Sequence, residues 1–146
     1  MLRGNSPATV DEKGRIKIPK EFRDFLLERF GDQFFVTSLE GVSVLIYPLS
    51  EWIQIEEKLN TEPRWDPSKK KVRERVNYFG KLARIDNQGR VLIHPLLRDS
   101  AQINGEVAVI GNTTYLQVWN DKLFQERLEG DPLSHSDLES LSDFGI

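Results

Sequence analysis

The sequence predicts an α+β fold of two pseudo-symmetric, β-rich halves with flanking helices, and three observations predict it. "VDEKGRIKIP" near the start returns as "IDNQGRVLIHP" past the middle: a shift of 75 positions lays Asp11 on Asp86, Gly14 on Gly89, Arg15 on Arg90, Ile18 on Ile93 and Arg23 on Arg98. Apolar residues alternate on both sides of each turn, which is the period of a half-buried strand. Behind each alternation comes a helical pattern, then two strand-like runs, then a second helical pattern. A repeat spanning about half the chain sets the architecture before any single residue does.

In "ATVDEKGRIKI" two short strands flank a four-residue turn. Asp suits its first position because the side chain accepts backbone N–H bonds, and Gly suits its last because it tolerates a left-handed conformation. A type I turn followed by a glycine bulge is expected, and "DNQG" fits the same geometry. In "PKEFRDFLLERFG", Pro19 has the dihedral wanted at a first helical position, Phe22, Phe25, Leu26 and Phe30 share a face, and Gly31 stops the helix. "QFFVTS" and "VSVLIY" read as a strand pair, and Ser50 as the cap of helix "EWIQIEEKL". The second half runs likewise: a shorter helix near "LLRDSAQ", strands "EVAVIG" and "YLQVW", and Asn120 capping "DKLFQERL".

This order divides the chain into a first domain at 1–60, a linker with a basic helix at 61–78, a second domain at 79–130, and an acidic tail at 131–146. Pro63 and Pro67 mark the linker; Ser68 caps a helix with Val72, Val76 and Phe79 on one stripe and Lys69, Lys70, Lys71, Arg73 and Arg75 around it. The tail, with Leu133, Leu138 and Leu141 as its apolar anchors, is expected to fray or to dock weakly.

Composition excludes several classes. No apolar run reaches membrane-spanning length, the first residues lack the apolar stretch of a signal peptide, and without cysteine there is neither a disulfide scaffold nor a thiolate metal site. These features fit a cytosolic protein. The formal net charge of −3 conceals blocks of +2 (1–30), −5 (31–63), +7 (64–98) and −7 (99–146), so one surface is expected to be basic and another acidic.

On a strand leaving the first turn, Arg15 and Lys17 point opposite to Ile16 and Ile18. The pair Asp11 and Arg15 has two readings: an ion pair that steadies the turn, which contributes little when exposed, or a carboxylate that orients a planar guanidinium for phosphate or a guanine edge. Duplication as Asp86 and Arg90 favours the second, because two such loops imply pseudo-twofold symmetry of the kind DNA half-sites match. The copies are unequal in charge: Gln88 and Leu92 stand where the first has Lys13 and Lys17. Catalytic readings fare worse. His94 and His135 are the only histidines, neither has a metal-ligand partner at suitable spacing, and "GNTT" lacks the lysine of a phosphate-cradling loop, so no cofactor and no small-molecule substrate are expected.

The two motifs, the opening "MLRG", the "FR" after the first proline, the mid-chain "VNYFG" and "YLQVW" together resemble the MraZ family of bacterial transcriptional regulators, with two SpoVT-AbrB-like domains. The likeness runs to about Leu128. It implies AbrB-like halves of the swapped-hairpin barrel type, assembled as ring-like homo-oligomers. It also implies sequence-dependent binding of double-stranded DNA at repeated promoter elements of the division and cell-wall gene cluster, in the cytoplasm and at the nucleoid. By that similarity the DNA contacts fall on Arg15 and Arg90, with Asp11 and Asp86 as supports, then on Lys13 and Lys17, and secondarily on Arg3. The second motif departs from the pattern by carrying His94 at the proline position, so its helix is expected to start one residue later. The alternative is an antitoxin-like, AbrB-fold module that binds a protein partner through its acidic tail.

Overall fold

The Asp11–Gly14 turn joins β1 (Leu2–Val10) to β2 (Arg15–Lys17) in the computed structural model, which describes all 146 residues. There follow α1 (Lys20–Arg29), β3 (Gln33–Thr37), β4 (Val44–Pro48) and α2 (Leu49–Leu59). After α3 (Pro67–Tyr78) the order returns: β5 (Lys81–Arg84), β6 (Arg90–Leu92), α4 (Pro95–Ser100), β7 (Gly105–Thr113), β8 (Tyr115–Asn120) and α5 (Asp121–Gly130), with α6 (His135–Ser142) at the end.

All eight strands form one antiparallel sheet in the order β5-β3-β4-β8-β7-β1-β2-β6. Its outer members β5 and β6 are joined by the second turn, so the sheet curls into a nearly closed barrel. The pairing is exchanged between halves. β1 pairs along its whole length with β7, from Leu2 opposite Thr113 to Val10 opposite Gly105, while β5 pairs with β3. Where the two hairpins cross, Ile16 faces Val91, Arg15 faces Leu92 and Lys17 faces Arg90. Ile16 and Val91 occupy the same place in the repeat, so the local twofold axis passes between them. The backbone repeats the exchange: Ile18 N–H donates to Gly89 O at 2.9 Å, and Ile93 N–H to Gly14 O at 2.8 Å.

One core of 20 buried apolar residues serves both halves. Repeat-related pairs supply much of it: Val10 and Ile85, Ile16 and Val91, Ile18 and Ile93, Phe22 and Leu97, Leu26 and Ala101, and, by their equivalent strand partners, Phe34 with Val107 and Val36 with Val109. Several pairs differ in volume, so the packing is less symmetric than the backbone. Of the predicted face of α1, Phe22 and Leu26 are buried, and Phe25 and Phe30 pack at its margin. α3 is held by Val76, its one buried residue, and by Thr37, whose hydroxyl donates to Val76 O at 2.6 Å.

Local expectations fail at four places, each for a physical reason. β1 starts at Leu2 rather than near "ATV", its alternation hidden in the sequence by Gly4 (φ +86°) and Pro7. Ser50 lies inside α2, which starts behind Pro48 without a side-chain cap. Asp66, not Ser68, caps α3, accepting Lys69 N–H at 3.0 Å, with Pro67 in the first turn; Asn120 caps α5 as expected, accepting Leu123 N–H at 3.1 Å. The helix behind the second motif is not displaced. Lys20 and Pro95 are the first residues of α1 and α4, in register with the repeat, because His94 takes an extended backbone (φ −67°, ψ 156°) close to that of Pro19 (φ −52°, ψ 138°).

The tail is helical through a reciprocal cap between Ser134 and Asp137, yet Leu133, Leu138 and Leu141 are all exposed and anchor nothing. No helix is long and apolar enough to cross a membrane.

Candidate nucleic-acid interface

Each turn is built around one carboxylate. Asp11 Oδ1 accepts the backbone N–H of Lys13 at 3.0 Å and of Arg15 at 2.9 Å, while its Oδ2 accepts Arg15 Nε at 2.8 Å. Asp86 does the same for Gln88 (2.8 Å), Arg90 (2.9 Å) and Arg90 Nε (2.9 Å). Gly14 N–H donates to Asp11 O and Gly89 N–H to Asp86 O, each at 3.0 Å, with the glycines at φ +82° and +75°. This is the predicted turn and bulge.

Each carboxylate is hydrogen-bonded to the inner nitrogen of its own turn's guanidinium. The terminal nitrogens of Arg15 and Arg90 donate no hydrogen bond within the chain, and the side chains are 31% and 24% exposed. A cation used only to steady the turn needs one donor; here a planar fork is fixed in direction with its outer donors not hydrogen-bonded within the chain.

The two tips adjoin. Arg90 Nη1 lies 3.9 Å from Asp11 Oδ2, so the first turn's carboxylate faces both arginines. Helix side chains cross over in the same exchanged manner. Arg98 of α4 lies against Gly14, where an added Cβ would run into its guanidinium; Arg23 of α1 lies against Gly89, where a Cβ would stand 2.8 Å from Arg23 Cδ. Each glycine is thus favoured by its positive φ and is overlain by an arginine of the opposite half. Arg23 and Arg98 recur at equivalent positions of the repeat, and that recurrence is the signal the sequence carries for them.

On the outer face of β2 and β6, Lys17 joins Arg15 and Arg90, because Ile16 and Val91 take the core. Lys13 and Lys17 are exposed and form no ion pair. Arg3 is not brought to the tips, since it precedes Asp11 by most of β1, about 25 Å of strand. Part of the charge on α3 is engaged within the chain, at or near its surface. Arg73 donates to Leu59 O at 2.7 Å and to Arg64 O at 2.9 Å, Lys69 to Thr61 O at 3.0 Å, and Lys70 lies 3.7 Å from Glu74.

The backbone N–H of Arg15, aided by the Arg15 side chain and the Lys13 N–H and opposed by some desolvation, holds Asp11 below the usual value of 3.8. The Arg90 N–H leads the same set of causes at Asp86. Because the folded values are the lower ones, the stabilisation is complete above the unfolded carboxylate range and is lost as pH falls through the depressed values. An NMR titration of the side-chain carboxyl carbons is expected to place both midpoints below 3.8; a midpoint at or above that value would contradict this geometry. Burial, with Lys81 nearby, lowers His94 below its ordinary value, and its buried Nδ1 has no partner. No three His, Asp or Glu side chains gather as a metal site.

Fold and site together define a single-chain, doubled swapped-hairpin barrel that presents two adjoining arginine-tipped turns. Residues 1–75 and 81–140 match the family described as "MraZ protein, putative antitoxin-like", and the chain belongs to the MraZ family. The transcriptional regulator MraZ of Acidobacterium capsulatum is 46% identical over 146 residues, and that of Koribacter versatilis 42% over 147, each alignment covering all of both chains. The MraZ regulator of Psychromonas ingrahamii is 32% identical over 132 residues, covering 90% of this chain and 87% of its own. The family is one of transcriptional regulators rather than enzymes.

Proposed function

We propose that this chain regulates transcription by binding double-stranded DNA through its two hairpin tips. The observation that carries this reading is the pair of adjoining guanidinium groups, each gripped at Nε by its own turn and donating no hydrogen bond within the chain from its outer nitrogens. Such a fork matches a phosphate or the O6/N7 edge of guanine. The net negative charge does not oppose it, because the cations are concentrated on the outer face of β2 and β6 and in the segment around α3. The regulator names of the relatives support it.

The targets, on the family resemblance, are repeated promoter elements of the division and cell-wall gene cluster, and the protein works in the cytoplasm at the nucleoid. Copies assembled in a ring would multiply weak contacts, since linked sites raise affinity without new interactions. A gel shift with the region upstream of the chain's own gene, titrated with salt and competitor DNA, is expected to show preferential binding to short direct repeats. Equal binding to competitor would overturn the sequence-dependent reading.

One observation favours a second reading, an antitoxin-like protein binder: α6 stands free with Leu138 and Leu141 exposed among Asp137, Glu139 and Asp143. The same gel shift on a chain ending at Gly130 separates the two. Retained DNA binding supports the loops; a protein that binds a partner only with its tail, and no DNA in either form, supports the second.

A further inference from the structure

The outer face of the β2 and β6 pair has four positions around the local twofold axis, and three of them hold Arg15, Lys17 and Arg90. The fourth is Leu92, directly opposite Arg15. Its neighbours Val91 and Ile93 are fully buried, so strand alternation turns Leu92 outward, where it is 50% exposed. The core does not need it: the equivalent position in the first half is Lys17, equally outward. A branched apolar side chain therefore stands half-exposed among three cations.

We propose that Leu92 is a specificity-determining residue that packs on the 5-methyl group of a thymine while the cations beside it hold phosphate or guanine. This rests on the DNA-binding reading above. The major groove admits a two-stranded β-ribbon, and the thymine methyl is the apolar group that base edges display there. Side chains directly opposite on paired strands have Cβ atoms about 4.5–5.5 Å apart, so Arg15 and Leu92 reach adjacent or nearly adjacent base pairs. The pseudo-symmetric scaffold thus reads an asymmetric target, with a cation on one side of its axis where the other side has an apolar contact. A single copy then recognises a directional element, and several copies in one orientation recognise direct repeats.

The test uses the full-length chain and duplexes from its own upstream region in which single thymines are replaced by uracil, which removes only the methyl group. The wild type is expected to lose about fourfold in affinity at one thymine in each bound repeat, the scale of one buried methyl-sized group. Leu92→Ala should show no such loss at that thymine. Leu92→Lys should also lack it, while binding all duplexes more tightly and with a salt dependence steeper by about one phosphate contact. The proposal is overturned if no uracil substitution affects the wild type, or if Leu92→Ala retains the same penalty, as it would were Leu92 packed on another copy of the chain. Failure of the wild type to bind any duplex would instead remove the DNA-binding reading itself, and this inference with it. Circular dichroism of both variants checks that the exposed position leaves the fold intact.

Discussion

Arg15→Ala and Arg90→Ala are each expected to weaken DNA binding by about 1–3 kcal/mol, the usual range for an arginine with two-point contact. Where the lost contact is a phosphate, the salt dependence should become shallower by about one unit of slope; where it is a guanine, discrimination against competitor DNA should fall instead. Lysine should not restore either variant, because it keeps the charge but neither the fork nor the Nε bond to the turn carboxylate. The two effects should not simply add. Arg90 Nη1 also faces Asp11, so removing one arginine alters the setting of the other. Fluorescence anisotropy at several salt concentrations measures all of this, and unchanged affinity in both folded variants would remove the tips from the binding surface.

The largest loss of stability is expected at the crossing of the hairpins. Ile16 is fully buried and pairs with the equally buried Val91 on the local axis. Ile16→Ala should cost about 2–5 kcal/mol, because both halves converge there and neither can move to fill the cavity without displacing the other. For a chain of this size each kcal/mol lowers the melting temperature by about 2–4 °C, so calorimetry should register a clear drop. Adding Val91→Ala should cost less than its own single substitution, since it enlarges a cavity already present. A loss below about 1 kcal/mol for Ile16→Ala would mean that the two strands are not packed as described.

The turns were the most legible part of the molecule. Asp at the first position and Gly at the last specify local geometry, and Asp11, Gly14, Asp86 and Gly89 take it. Strands β3, β4, β7 and β8 and helices α1 and α5 were equally readable, each carrying a local period or cap. The partner of each strand was not. Nothing in "NSPATV" says that β1 will lie along β7 rather than β3, because strand pairing at this separation is decided by the joint packing of both halves. Arg23 and Arg98 are hard to read for the same reason: on a helix they look like solvated charges until the exchanged turn is placed beneath them. The turn-bound arginines are legible in the repeat, but the adjoining position of the two tips follows only from the crossing of β2 and β6.

That crossing has a further consequence. Two identical hairpins meeting on a true axis would carry every substitution twice, so neither contact surface could change alone. Here the partners lie on one polypeptide and are coupled through shared backbone bonds, Ile18 to Gly89 and Ile93 to Gly14. One surface can therefore diversify while the other preserves the mutual support, as Lys17 and Leu92 already illustrate. Covalent union gives this barrel the freedom to have a front and a back.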